Sequence, residues 1–273
     1  DCVSGFSVHA DPFRPAAALP VDLSDSQRRL VDRLIQDRTA EVTTYAGDPP
    51  LRDAVYVMRE GAYYRTAVAR EDTVEVPARR LDVTWEAGQE APDDASVVAF
   101  TELPESDRQA LRLAVRGPTY GERRGHPREG LSVRDAPMPY PDGADDSRLV
   151  AREETWVRWN DRIYRVTSGD AATTTRYTYR FSVTAVADSA GGFRDHVARE
   201  YLLRLTDLTD AERTILDRAT ADGYRECEPA SEGLARLQKR LPDDGRLPHP
   251  YDRSWFVGFD GSRYELSITN WIH

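Results

Sequence analysis

Thr206-Asp207-Leu208-Thr209-Asp210-Ala211-Glu212-Arg213 is one of three copies of a helix-opening pattern; the others are Val21-Asp22-Leu23-Ser24-Asp25-Ser26-Gln27-Arg28 and Thr101-Glu102-Leu103-Pro104-Glu105-Ser106-Asp107-Arg108. Acid, leucine, acid and arginine recur at the same offsets. Behind each copy, apolar or small residues follow a helical spacing: Leu30, Val31, Leu34, Ile35; then Ala110, Leu111, Ala114, Val115; then Ile215, Leu216, Ala219, Thr220. The first turn of a helix has unpaired N–H groups and the positive end of the dipole, so acids belong there. Ser24 with Gln27 and Thr209 with Glu212 fit a capping box, and Pro104 suits the first helical position. A charged binding row is one reading of the repeated acids and arginines; capping plus a solvated helix face is the simpler one.

A second element follows each predicted helix. Tyr56-Val57-Met58-Arg59-Glu60-Gly61-Ala62-Tyr63-Tyr64-Arg65 matches Trp156-Val157-Arg158-Trp159-Asn160-Asp161-Arg162-Ile163-Tyr164-Arg165 and Phe256-Val257-Gly258-Phe259-Asp260-Gly261-Ser262-Arg263-Tyr264-Glu265. Central Glu-Gly, Asn-Asp and Asp-Gly pairs tolerate positive φ, and the flanks are aromatic or β-branched, so each reads as a β-hairpin. Tyr64, Tyr164 and Tyr264 are either an aromatic binding row or repeated packing of sheet on helix.

Leu81-Asp82-Val83-Thr84-Trp85 and Phe181-Ser182-Val183-Thr184-Ala185 alternate with period two and read as closing strands, while Val97 to Phe100 and Leu202 to Leu205 read as lead strands. The expectation is an α+β chain of three tandem modules, each a helix packed on an antiparallel β-sheet. Residues 1–15 would form an N-terminal strand and linker, 16–90 module one, 96–190 module two and 198–273 module three. The element order resembles the cystatin-like layout, a helix laid across an antiparallel sheet, and carries no inhibitory motif with it.

Module three ends soon after Tyr264 and is expected to lack its closing strand. An open edge exposes unpaired backbone groups, which proteins usually cover. At the opposite end of the chain, Phe6-Ser7-Val8-His9-Ala10 shares four of five residues with Phe181-Ser182-Val183-Thr184-Ala185. It is read as a donor strand, with Phe6, Val8 and Ala10 on one face, and Phe256, Val257, Tyr264 and Leu266 as the acceptor. Cys2 and Cys227 are expected to pair as a disulfide stapling that strand in an oxidising compartment. The linker Asp11–Leu19 spans at most ~30 Å at ~3.3 Å per residue, about one module. Insertion in cis needs a compact chain; insertion in trans needs only aligned modules and generates open filaments. The trans arrangement is similar in logic to pilins completed by donor strands, although no pilin residue motif occurs here.

Of 37 basic residues only Lys239 is lysine, against 47 acids and a net charge of −10. This composition resembles that of proteins from salt-adapted archaea. It disfavours a broad nucleic-acid surface, though a local arginine patch is compatible with it. No apolar run approaches the ~20 residues of a membrane-spanning helix. The start at Asp1 without Met is what a secreted protein shows after loss of a signal peptide. His9, His126, His196, His249 and His273 are scattered, with no metal-ligand spacing. The long predicted loop Gly117–Ser147 holds Arg123, Arg124, His126 and Arg128, then Asp142, Asp145 and Asp146, a conceivable calcium trio that is more simply a solvated acidic loop. Asp243-Asp244-Gly245 reads as a turn. The expectation is a non-enzymatic extracellular or cell-surface subunit with no cofactor, no metal and no nucleic-acid partner. It polymerises head to tail with itself by donating residues 6–10 to module three of the next copy. The alternative is a monomeric secreted or cell-surface binding protein with the N-terminal strand inserted in cis.

Overall fold

The computed structural model describes residues 3–117, 130–248 and 254–272. Cys2, Arg123, Arg124, His126, Arg128, His249 and His273 lie outside the described residues. The chain opens with β1 (Ser4–Pro12) and a short helix α1 (Pro15–Ala18). The first repeat supplies α2 (Asp25–Asp37), β2 (Thr39–Thr44), β3 (Tyr56–Arg59) and β4 (Ala62–Glu86). The second supplies β5 (Val97–Ala99), α3 (Glu105–Arg116), β6 (Gly130–Pro139), β7 (Glu154–Trp159), β8 (Arg162–Ala187) and α4 (Ala190–Tyr201). The third supplies β9 (Leu203–Arg204), α5 (Asp210–Ala221), β10 (Tyr224–Cys227), α6 (Glu232–Lys239), β11 (Ser254–Phe259) and β12 (Ser262–Ile272).

The fold is α+β, with two mixed sheets and helices. Three hairpins stand where the sequence places them: β3/β4, β7/β8 and β11/β12. Each turns through two residues of positive φ, Glu60 and Gly61, Asn160 and Asp161, Asp260 and Gly261, the backbone twist that a two-residue connection between right-twisted strands requires. A lead segment runs parallel to the first strand of each hairpin, through Pro20 beside Tyr56, Val97 beside Trp156 and Leu203 beside Val257. The helices start as capped: Ser24 and Thr209 close capping boxes with Gln27 and Glu212, while Pro104 stands one position earlier than expected, at the N-cap of α3. In two repeats the acid and arginine pair locally, Asp25 with Arg28 and Glu105 with Arg108 at 2.7 Å, whereas Arg213 of the third reaches Asp260 in the β11/β12 turn at 2.8 Å.

The separate closing strands expected at Leu81–Trp85 and Phe181–Ala185 are instead the far ends of the 25-residue β4 and the 26-residue β8. Pro77 in β4 and Ser168-Gly169-Asp170 in β8 are local turn signals, yet both strands run straight through them. The repeats are distributed over two sheets rather than three. One sheet has the order β10-β1-β12-β11-β9; the other has β3-β4-β8-β7-β5, with β2 added to β8 and β6 to β4.

The chain forms two compact units. One comprises residues 1–22, 53–67 and 183–273, the other 23–52 and 68–182. In the first, Val8, Ala10, Leu216, Leu234, Leu237, Val257 and Leu266 build a core beneath the five-stranded sheet, and Leu19, Tyr56, Phe193, Val197 and Phe256 build another around α4. In the second, α3 lays Ala110, Leu111, Ala114 and Val115 against Leu81, Val83, Val157 and Val166. No helix among the described residues is long and apolar enough to cross a membrane.

Candidate strand-closure site

β1 lies inside its sheet, not at its edge. On one side it pairs antiparallel with β12 over nine residues, from Ser4 opposite Ile272 to Pro12 opposite Tyr264. On the other, Gly5 to Val8 pair antiparallel with Cys227 to Tyr224 of β10. Alternation sorts its side chains as the period-two reading expects: Val8 and Ala10 are buried, Phe6 is half-buried, and all three join the core that contains Leu266 and Val257. Each fully buried Val or Phe side chain is worth about 1.5–3 kcal/mol. Ser7 and His9 take the opposite face, where Ser7 Oγ and His9 Nε2 share a 2.9 Å hydrogen bond.

The named acceptor residues divide. Leu266 lies in the strand beside β1, opposite Ala10, and Tyr264 lies opposite Pro12 and stacks on Phe259 at 4.8 Å. Val257 is one strand further away but shares the core of Val8. Phe256 points to the other face and meets not β1 but Phe13, in the residues that follow it, at a ring separation of 4.7 Å. Tyr164 is buried in the core beneath α3, whereas Tyr64 is half-buried on β4.

Several contacts were not read from the sequence. Gly5 leaves no room for a side chain, since a Cβ there would sit 2.2 Å from the Glu226 carbonyl oxygen and 2.5 Å from the Trp271 ring. A lone glycine within a strand pattern is the signal for such an approach. Gly223, at φ +84°, bears on the His9 ring, where a Cβ would meet Cε1 at 2.6 Å. Glu228 binds the start of β1 twice: its N–H donates to the Ser4 carbonyl at 3.1 Å, and its carboxylate accepts from Ser4 Oγ at 2.7 Å. Beyond the strand, Phe13 N–H donates to the Arg263 carbonyl at 3.3 Å, and Leu19 is buried beside Phe193. Cys227 stands opposite Gly5 in the register, and no free cysteine occurs among the described residues.

In the same unit, the buried Tyr56 hydroxyl meets His196 Nε2 at 3.1 Å and Tyr201 Oη at 3.4 Å. Burial, then the Tyr201 hydrogen bond, pushes the Tyr56 hydroxyl far above its ordinary range. Burial holds the His196 imidazole below its ordinary value, opposed by Glu200 and assisted by Arg199 and Arg65. Asp142, Asp145 and Asp146 belong to no group that could hold a metal ion, among the described residues. What the site offers is a slot for an extended strand: backbone ladders on both sides, apolar pockets under alternate side chains, and a clamp at each end.

Comparison with known proteins finds no matching family model, no similar curated protein and no similar solved structure.

Proposed function

We propose that this chain is an extracytoplasmic, non-catalytic binding scaffold, built on three copies of a lead strand, helix and hairpin, whose third copy is completed in cis by the chain's own first strand. The observation that carries the reading is the nine-residue register of β1 against β12. Two further features favour closure in cis over donation to a neighbour. The residues immediately after β1 are themselves docked, with Phe13 on Phe256 and Leu19 in the core around α4, so the linker has no slack to carry the strand elsewhere. Glu228 and Gly5 fix the beginning of the strand as firmly. A bridge between Cys2 and Cys227 fits this arrangement, because the partner of Cys227 in the ladder is only three residues from Cys2, and it belongs to an oxidising compartment.

The test is light scattering combined with hydrogen exchange on the oxidised protein. Closure in cis gives a monomer whose residues 4–12 are protected equally at low and high protein concentration, and non-reducing peptide mapping that finds Cys2 and Cys227 joined within one chain. Polymers that disappear when residues 1–10 are deleted would establish the head-to-tail filament instead.

A further inference from the structure

In the unit formed by residues 23–52 and 68–182, a cavity of about 210 Å³ opens between α3 and β6. Its walls are Leu113 and Ala114 of α3 with Val133, Ala136 and Met138 of β6; Tyr45 and Thr174, each bearing a hydroxyl, also line it. Ala114, Val133 and Met138 also belong to the main core of this unit, so the cavity is continuous with packed interior.

The shape of β6 makes this cavity. Val133 and Ala136 are three residues apart, and in a regular strand an odd separation puts side chains on opposite faces. Here they share one space. Leu81 pairs with Ala136 and Val83 with Val133, so Arg134 and Asp135 together oppose the single residue Asp82, a β-bulge. Asp135 takes φ 50°, a left-handed conformation uncommon outside glycine, which aspartate tolerates better than most residues when its short side chain is held locally. It is held here. The Asp82 carboxylate accepts from Asp135 N–H at 2.6 Å, and Arg80 donates to the Asp135 carboxylate at 2.7 Å and to its carbonyl at 3.2 Å. Bulges re-aim side chains beside functional sites, and this one turns two apolar side chains into the same space.

The border supplies a polar group. Tyr45 Oη makes no hydrogen bond among the described residues. Burial raises its pKa, with Arg176 opposing and Asp142 adding, so it remains a protonated donor at neutral pH. Apolar cavities of ~150 Å³ bind benzene, and a larger one with a tyrosine among its lining residues has room for a ring and one polar substituent. We propose that this cavity is a binding site for a small monocyclic ligand of the phenol class, its ring against Ala114, Val133, Ala136 and Met138 and its hydroxyl at Tyr45. This deepens the binding-scaffold reading by naming a ligand class, and it does not depend on how β1 is closed.

The experiment is a titration of the full chain with phenol, benzene and xenon, followed by methyl chemical shifts of Val133, Ala136 and Met138. All three probes are expected to shift those methyls saturably, with phenol binding about tenfold tighter than benzene, the factor that a hydrogen bond of ~1.4 kcal/mol gives. Tyr45→Phe, at a half-exposed residue, should erase the preference for phenol and leave benzene binding unchanged. Ala136→Leu should fill the space and reduce affinity for all three at least tenfold, with the far-ultraviolet spectrum unchanged. Absence of saturable shifts, or a Tyr45→Phe protein that keeps the phenol preference, overturns the proposal. Neither result alters the mass or the protection of residues 4–12, so this site and strand closure fail separately.

Discussion

The Glu212 carboxylate, wholly buried in the first turn of α5, meets the Arg240 guanidinium at 2.8 Å just beyond the end of α6. The same carboxylate accepts from Thr209 N–H at 2.8 Å and Thr209 Oγ at 2.9 Å, while Arg240 also donates to the carbonyls of Thr206 and Asp207. The aligned residue in each of the other repeats likewise reaches into the segment that leads to its hairpin. Gln27 Nε2 donates to the Pro50 carbonyl at 2.7 Å. Asp107 accepts from the Tyr140 hydroxyl at 3.0 Å, from Ser147 Oγ, and from the N–H groups of Arg148 and Leu149. The repeated polar residue at the third helical position is therefore a tie between helix and connection.

Arg240→Ala removes the cation from the Glu212 carboxylate; because Arg240 itself is about a third exposed, water can take its place, and the cost is expected below that of a fully buried pair, about 1–3 kcal/mol. Urea denaturation at neutral pH is expected to show a loss of that size. The double variant Glu212→Gln/Arg240→Ala should lose less than the sum of the two single variants, because the residues act on each other. Strict additivity would mean that the pair is not coupled.

Acid should expose the same tie. Burial alone would raise the Glu212 carboxyl, but hydrogen bonds from Thr209 and Arg240 together with the Arg240 charge outweigh it and hold the carboxyl below the usual range. A carboxyl with a folded pKa below its unfolded value of ~4.3 contributes stability that is complete above that pH and is lost as pH falls through the folded value. Urea midpoints measured from pH 7 to pH 3 are therefore expected to fall more steeply for the native chain than for Glu212→Gln, and equal slopes would remove Glu212 as the cause.

Asp107→Ala should act more locally. It removes the acceptor of two hydroxyls and two backbone N–H groups, in a site where the Asp107 side chain is buried, and each buried donor left unsatisfied costs about 1–3 kcal/mol. Hydrogen exchange is expected to accelerate at Arg148, Leu149 and Val150 before the α3 core opens; uniform acceleration would argue that the loop and the core open together.

The hairpins and capped helices were legible because they are set by local chemistry: φ-tolerant residue pairs between apolar runs, and Ser or Thr three positions before Gln or Glu. The five residues Phe6–Ala10 were legible as a strand because they copy Phe181–Ala185 and alternate. What was missed is either long-range or marked by weak local signals. β6 carries two prolines and a bulge, so it read as part of a loop. β10 is four residues long and exists as a ladder partner for Gly5 to Val8. The helical pattern of α4 is diluted by Gly191 and Gly192. The split of the repeats between two sheets depends on β4 pairing with β8, a contact between distant residues that no local spacing encodes.

Gly5→Ala is the sharpest test of how tightly the first strand is held. The added methyl would collide with the Glu226 carbonyl oxygen at 2.2 Å, backbone that cannot rotate away, and with the Trp271 ring at 2.5 Å. Either β10 or β1 must shift, so the cost is expected to be at least ~2 kcal/mol, in the range of overpacked cores. Protection should fall for residues 4–12 and 224–227, while Ala110 and Leu111 of α3, in the other unit, keep theirs. A control substitution, Gly191→Ala, places its methyl no closer than 3.8 Å to the Arg194 guanidinium and should leave exchange at β1 unchanged. If Gly5→Ala is as well tolerated as that control, the start of β1 is not seated against β10.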